Sequence, residues 1–359
     1  MARRKDRPAG PLDIRAQAIL QTIIEEYVAT ALPVGSQVLV SRHALGVSSA
    51  TVRNIMAELE QAGYLTHPHT SAGRVPTNLG YRFYVQTVVT GQPLMPADQL
   101  TIRHQFGQIE ETSDEWIRLA AATVASMTRE AGLATAARPS RARLRRVDLV
   151  ASGEHSAAIV LVLAEGPVKQ ALISLDEPVD QEDLDAIARQ MNALLGGATT
   201  LDVARRLARL PDATLPGATP AQRLAGRVGQ RVQRVMQEFD TTPVEEVFSE
   251  GILNVLEAPE FAQSEKLRRI FGLLQDRSYL GRLVSDVSRR GDVQVYIGSE
   301  NQATEMQEVS LVLAPYGQPG RAQGVVGALG PTRMAYPQVI GTVRYVSGLM
   351  NELLGQLYT

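Results

Sequence analysis

The residues from Leu32 to Tyr84 constrain this chain most, and their centre is the run VSSATVRNIMAELEQAG that ends at Gly63. Val52, Met56 and Leu59 recur at steps of four and three residues, which places them on one face of a helix. The opposite face carries Ser49, Ala50, Arg53, Asn54 and Ala57, small residues among long hydrogen-bonding ones. Small residues let a helix lie deep in a major groove, and Arg and Asn can make paired hydrogen bonds to guanine and adenine edges respectively. Taken alone, such a helix face is ordinarily just solvated. The residues after it change that reading. Gly63 stops the helix, Tyr64 to His67 reads as a strand, Pro68 to Gly73 as a turn rich in Thr, Ser and Gly, and Arg74 and Val75 as the return strand. The hairpin tip, with His67, His69, Thr70, Ser71 and Arg74, offers donors to a phosphate backbone or a minor groove. Upstream, apolar periodicity predicts a helix over Leu12 to Thr30 and a second one, capped by Ser36, that stops at Gly46. Three helices and a hairpin in this order are the outline of a winged helix-turn-helix.

The bulk numbers fit a reader of nucleic acid only once the chain is divided. The net charge of the 359 residues is −2. From Met1 to Gly91 nine Arg or Lys stand against six Asp or Glu, so the front carries +3 and the remainder −5. That asymmetry suits an N-terminal module that meets phosphate. Absence of cysteine removes disulfides, thiolate metal sites and thiol nucleophiles together, and no two of the five histidines stand at a metal-binding helical spacing. Neither a metal nor a cofactor is expected. No apolar run approaches the roughly 20 residues that a bilayer requires, and the start MARRKDRPAG leads into no apolar signal core, so the expectation is a soluble cytoplasmic protein that meets no membrane.

Behind the first module, a linker is expected at Pro93 to Pro96, then a helix from Asp114 to Ala131. A basic stretch with Arg138, Arg141, Arg143, Arg145 and Arg146 reads as a solvated approach to a strand. Strands come next at Arg146 to Ala151, Ala157 to Ala164 and Val168 to Leu175, then a helix from Gln181 to Leu195. The stretch from Gly196 to about Ser288 reads almost wholly helical. Strands return at Val293 to Gly298, Val309 to Ala314 and Gly324 to Leu329, closed by a helix from Met334 to Leu357. A sheet interrupted by helices and later resumed predicts a discontinuous domain carrying an insertion.

The motifs PVGS at Pro33 to Ser36, SSATVRN, MAELEQAGYL, PHTSAGRVPT and GYRFYV at Gly80 to Val85 together resemble the HrcA family of heat-inducible transcription repressors. The resemblance resumes in IGSEN at Ile297 to Asn301, APYG at Ala314 to Gly317 and GALGPTRMAYP at Gly327 to Pro337, so it spans nearly the whole chain and is weakest in the middle. Two positions depart from the family's pattern: Gln37 stands where Arg is usual, and Ile55 where an acidic residue is usual. Neither is a proposed reading residue. The resemblance implies a multidomain α+β chain with a winged helix-turn-helix at residues 1–92, a GAF-like domain at 97–178 and 289–359, and an inserted, mainly helical dimerisation domain at 179–288. It also implies the role: a homodimeric repressor of chaperone operons that binds a double-stranded inverted-repeat operator, called CIRCE, and whose activity depends on the GroEL chaperonin.

Within that reading, Arg53 and Asn54 are assigned to base contacts, Ser49 and Thr51 to contacts near the helix start, and His69, Ser71 and Arg74 to the wing; Thr51 can instead bond within the first helical turn. Glu300, Asn301 and Arg333 form the best polar constellation elsewhere, as a ligand site or a structural interface. The run GVVGALG has the wrong glycine spacing for a nucleotide-binding fingerprint and reads as strand. With no Cys, no G-x-S-x-G elbow and no histidine set beside an acid and a nucleophile, the chain is expected not to be an enzyme. Two other readings compete: a metabolite sensor with a small ligand in the GAF-like domain, which requires a concave site with converging polar groups, and an adaptor whose winged helix binds no DNA, which requires Arg53 to face a partner domain.

Overall fold

A computed structural model of the chain describes residues 12–43, 45–68, 73–87, 93–108, 113–139, 141–164, 168–209, 217–241, 247–261, 264–318 and 322–357. Helix α1 (Ile14–Thr30) starts where the Asp13 carboxylate accepts from the Ala16 amide at 2.6 Å, satisfying one of the orphan donors of a helix start. Helix α2 (Ser36–Arg42) is shorter than expected, and Gly35 rather than Ser36 holds its cap position. Ser36 is engaged elsewhere: its hydroxyl lies 3.0 Å from that of Ser49. Helix α3 (Ser49–Gln61) buries Val52, Met56 and Leu59, the predicted stripe, and partly buried Ile55 packs beside them. Gly63 then turns the chain with φ +85°, a left-handed conformation that favours glycine. Strands β1 (Leu65–Thr66) and β2 (Val75–Pro76) pair antiparallel with Leu65 opposite Pro76, and α4 (Asn78–Thr87) carries the GYRFYV run.

The linker at Pro93 leads at once into α5 (Pro96–Phe106), a helix absent from the sequence-based expectation and anchored by buried Ile102 and Phe106. Next comes α6 (Ser113–Thr128). The chain from Ala131, where that helix was expected to end, is instead strand β3 (Ala131–Thr135), every residue of it buried; Arg129, with φ +58°, marks the change of direction. After β4 (Arg138–Pro139), strands β5 (Leu144–Gly153), β6 (Ser156–Leu163) and β7 (Val168–Ser174) form an antiparallel meander, succeeded by α7 (Gln181–Leu195), α8 (Thr200–Leu207) and α9 (Pro220–Thr241). Strand β8 (Val247–Glu250), helices α10 (Ile252–Leu256), α11 (Ser264–Leu274) and α12 (Arg277–Arg290), strands β9 (Gln294–Ile297), β10 (Val309–Gly317) and β11 (Ala322–Pro331), and helix α13 (Tyr336–Leu357) complete the order.

Hydrogen bonding corrects the expected division of the sheet. Strands β5, β6 and β7 do not join the C-terminal strands: they pair only among themselves in the described residues, while the larger sheet runs β8-β3-β11-β10-β9 with β4 also on β11. The smaller sheet shares its core with α7, α8 and α9 through Val147, Leu161, Leu184, Met191, Val203, Val232 and Met236. The elements from β5 to α9 thus form an inserted lobe with a core of its own. From β8 onward the chain belongs to the larger sheet, whose two faces bury different helices. Ala134, Val312, Val326 and Ala328 pack towards α6 and α13; Leu133, Leu311, Leu313 and Leu329 pack towards α10, α11 and α12. No helix among the described residues is long and apolar enough to cross a membrane.

Glu130, between α6 and β3, is a buried carboxyl beside the backbone of Gly330. Burial pushes its pKa up to about 8, against the lowering field of Arg333 and with the raising field of Glu260. The folded state therefore holds a proton that the unfolded chain, with an ordinary carboxyl near pH 4.3, releases. Hence this group costs stability progressively as pH rises from about 4.3 to about 8, and Glu130→Gln removes the cost. Thermal melting at pH 5 and pH 8 checks this: the variant should gain on the order of a few kcal/mol at pH 8 and much less at pH 5.

Candidate nucleic-acid interface

The exposed face of α3 is built from its cap upward. The Ser48 hydroxyl accepts from the Thr51 amide at 3.2 Å and lies 3.0 Å from the Thr51 hydroxyl. Ser49 is held by Ser36, and both Ser49 and Thr51 are half-buried, so these two residues are committed to the start of the helix. One turn on, Arg53 and Asn54 are exposed, flanked by exposed Ala50 and Ala57. Arg53 has no ion-pair or hydrogen-bond partner among the described residues and faces solvent, not another domain. That orientation is the opposite of what the adaptor reading requires. The stripe of Val52, Met56 and Leu59 behind it leaves the helix no freedom to present another face.

The hairpin is tied back to the same helix through one residue. Glu60, on the last turn of α3, pairs with His67 on the outgoing strand and with Arg74 on the return, the Arg74 Nε standing 2.7 Å from Glu60 Oε2. Arg74 also exchanges backbone hydrogen bonds of 2.9 Å with Val34, ahead of α2. Half-buried Arg74 is thus held within the hairpin through its Nε and its backbone. Sequence reasoning missed Glu60, whose spacing of seven and fourteen residues from its two partners matches no local pattern. His69 and Ser71 lie outside the described residues.

Glu300, Asn301 and Arg333 do not converge. Glu300 takes the guanidinium of Arg82 on α4 in a two-point contact, with Arg82 Nε 2.7 Å from Oε1. Buried Asn301 donates its side-chain amide to the carbonyls of Gly298, Met306 and Val309 at 2.9, 2.9 and 3.0 Å. Arg333 binds Glu260 in a fork, Nε to Oε1 at 2.6 Å and Nη2 to Oε2 at 3.3 Å. Each is thus engaged by a different partner. The GVVGALG run lies in β11, as strand.

An exposed Arg-Asn pair on a capped helix, backed by a hairpin and carried on a mixed α+β body, is the build of a transcription regulator, and comparison with known proteins gives the same class. The family model "HrcA protein C terminal domain" matches residues 114–340. A heat-inducible transcription repressor HrcA of Roseiflexus castenholzii is 41% identical over 96% of this chain and 95% of its own length, and one of Chloroflexus aurantiacus is 42% identical over 98% and 96%. A crystal structure of a hypothetical protein, 23% identical, superposes with a TM-score of 0.56 over 96% of this chain and 99% of that one, and so shares the fold. The chain belongs to the HrcA family of heat-inducible transcription repressors.

If Glu60 holds the hairpin to the helix, Glu60→Gln should lower the stability of the N-terminal module by about 1 kcal/mol, since the pair is only partly shielded from solvent. Chemical denaturation monitored by the fluorescence of the module's tyrosines reads this directly, and an unchanged midpoint would refute the tie.

Proposed function

We propose that this chain represses chaperone operons by binding an inverted-repeat, CIRCE-type operator as a homodimer, through a winged helix-turn-helix made of α1 to α3 and the β1–β2 hairpin. The observation that carries the reading is the presentation of Arg53 and Asn54 side by side to solvent on a helix whose other face is locked in the core. Two copies related by a two-fold axis would place two such helices in successive major grooves, which is why the target is an inverted repeat. Arg53→Ala should leave folding and pairing intact and cost roughly 1 to 3 kcal/mol of operator affinity. A mobility-shift titration on an inverted-repeat duplex measures the cost; no change would remove α3 as the reader.

The inserted lobe supplies a surface suited to pairing. One face of its sheet packs on α7 and α9, but the cross-strand rows of the other face, Val150–Ala158–Leu172, Asp148–Val160–Gln170 and Arg146–Val162–Val168, have no element over them in the described residues. Leu172 is 69% and Val168 55% exposed. Apolar side chains in that number on a flat sheet face favour association with a second copy. Leu172→Glu should therefore yield a monomer by light scattering with an unaltered melting temperature; a persistent dimer would move the pairing surface elsewhere.

Control by the GroEL chaperonin completes the reading, and the larger, GAF-like sheet supports it over control by a metabolite. The face where a small ligand would sit is filled by Leu133, Val309, Leu311, Leu313 and Leu329 against Val255, Phe261 and Ile270. A cleft at its rim, about 220 Å³ between Tyr279, Arg282, Asp286 and Tyr296, is smaller than the roughly 300 Å³ at which ligand pockets usually begin. Addition of purified chaperonin to dilute repressor tests this control, and the expected result is a larger fraction of operator bound.

A further inference from the structure

We infer that the IGSEN loop and helix α4 form a clasp that fixes the angle of the DNA-reading module on the body behind it, making Asn78, Arg82, Ser299 and Glu300 determinants of the half-site spacing the repressor accepts. This rests on the reading of the chain as a dimeric operator-binding repressor.

The contact has a pivot and two pins. Tyr81, buried on α4, packs its ring 5.8 Å from that of Tyr336 at the start of α13. Tyr336 is itself immobilised, its hydroxyl donating to the Thr332 carbonyl at 2.8 Å and lying 2.8 Å from the Ser310 hydroxyl. An aromatic contact alone permits rotation about itself. Asn78 and Arg82, one turn apart and so on the same side of α4, prevent it. Asn78 Nδ2 donates to Ser299 Oγ at 3.1 Å, and Arg82 grips Glu300 at two points while Nη2 donates to the Val295 carbonyl at 2.6 Å. Two directional contacts added to a pivot define an orientation.

The receiving loop is rigid, as a stop must be. Gly298 has φ +50°, and a Cβ there would overlap the Asn78 amide, so this position requires glycine both for its backbone and for the approach of α4. Glu300 Oε2 accepts from the Ile297 amide at 2.8 Å, which aims the carboxylate, and the three carbonyl contacts of Asn301 close the loop beneath it. Each polar residue of the motif therefore either touches α4 or holds one that does.

Two recognition helices must meet half-sites about one helical turn, roughly 34 Å, apart or a multiple of that. Because the module is carried at a distance from the two-fold axis, a small rotation at α4 changes that separation while leaving each helix able to read its own half. Binding of the full-length Glu300→Gln and Asn78→Ala variants would be measured on three duplexes: the inverted repeat, the same repeat with its spacer changed by one or two base pairs, and a single half. Light scattering and melting would run alongside. Expected is a loss of about tenfold on the native repeat with little or no loss on the single half, so that the preference for native spacing flattens. Equal binding to all spacings by wild type and variants would overturn the clasp, as would an equal loss on the half and the whole. Failure of the wild-type chain to prefer the repeat over random DNA would instead overturn the operator reading on which the clasp stands.

Discussion

Helix α3 depends on an apolar core that it does not own. Ile19, Ile23, Leu39, Val52, Met56 and Leu59 of the N-terminal module are continuous, through Tyr81, Tyr84 and Leu94, with Ile102, Trp116, Val124, Val339, Val343 and Val346 of the body. A module of three short helices and a two-residue hairpin buries little surface by itself, and small domains are marginal for that reason. Sharing a core solves this and has a geometric consequence. Helix α3 is seated on that core, so its position relative to the rest of the chain is set by packing. The composition break at Pro93 suggests a linker; physically it is a corner, with α5 packed beyond it.

The larger sheet and the three-stranded sheet use their faces in opposite ways. Both faces of β3, β10 and β11 are covered, one by α6 and α13 and the other by α10 to α12. The three-stranded sheet of the inserted lobe covers one face only. An antiparallel sheet with one solvated face normally alternates apolar and polar residues. Here Val150, Val160, Val162, Val168 and Leu172 break that alternation, and the excess of apolar residues is what makes the face suited to association.

Which features are legible in the sequence depends on how far apart in the chain their causes lie. The stripe of α3 and its glycine stop are set within sixteen residues and can be read there, as can the β5–β7 meander, whose short turns force neighbours to pair. The sequence places those strands in the wrong sheet because β3, the true partner of β11, and β8, which pairs with β3, are short, and β3 pairs with β11 almost two hundred residues later. No periodicity encodes such a pairing. The same distance hides the fates of single residues. Arg74 looks free because Glu60 is on another element, and Glu300 and Arg333 look like neighbours although their partners, Arg82 and Glu260, lie 218 and 73 residues away. Asn301, whose contacts fall within eight residues, is structural for a local reason.

Polar contacts frame the shared core where α4 meets the body: Asn78 bonds Ser299 and Arg82 bonds Glu300. Hydrogen bonds between partly exposed side chains have sharp geometric requirements and little reserve once the packing beneath them loosens. The orientation of α3 is thereby tied to the integrity of the core: apolar contact keeps the N-terminal elements attached, while the polar edge holds them at one angle only as long as the packing beneath stays closed.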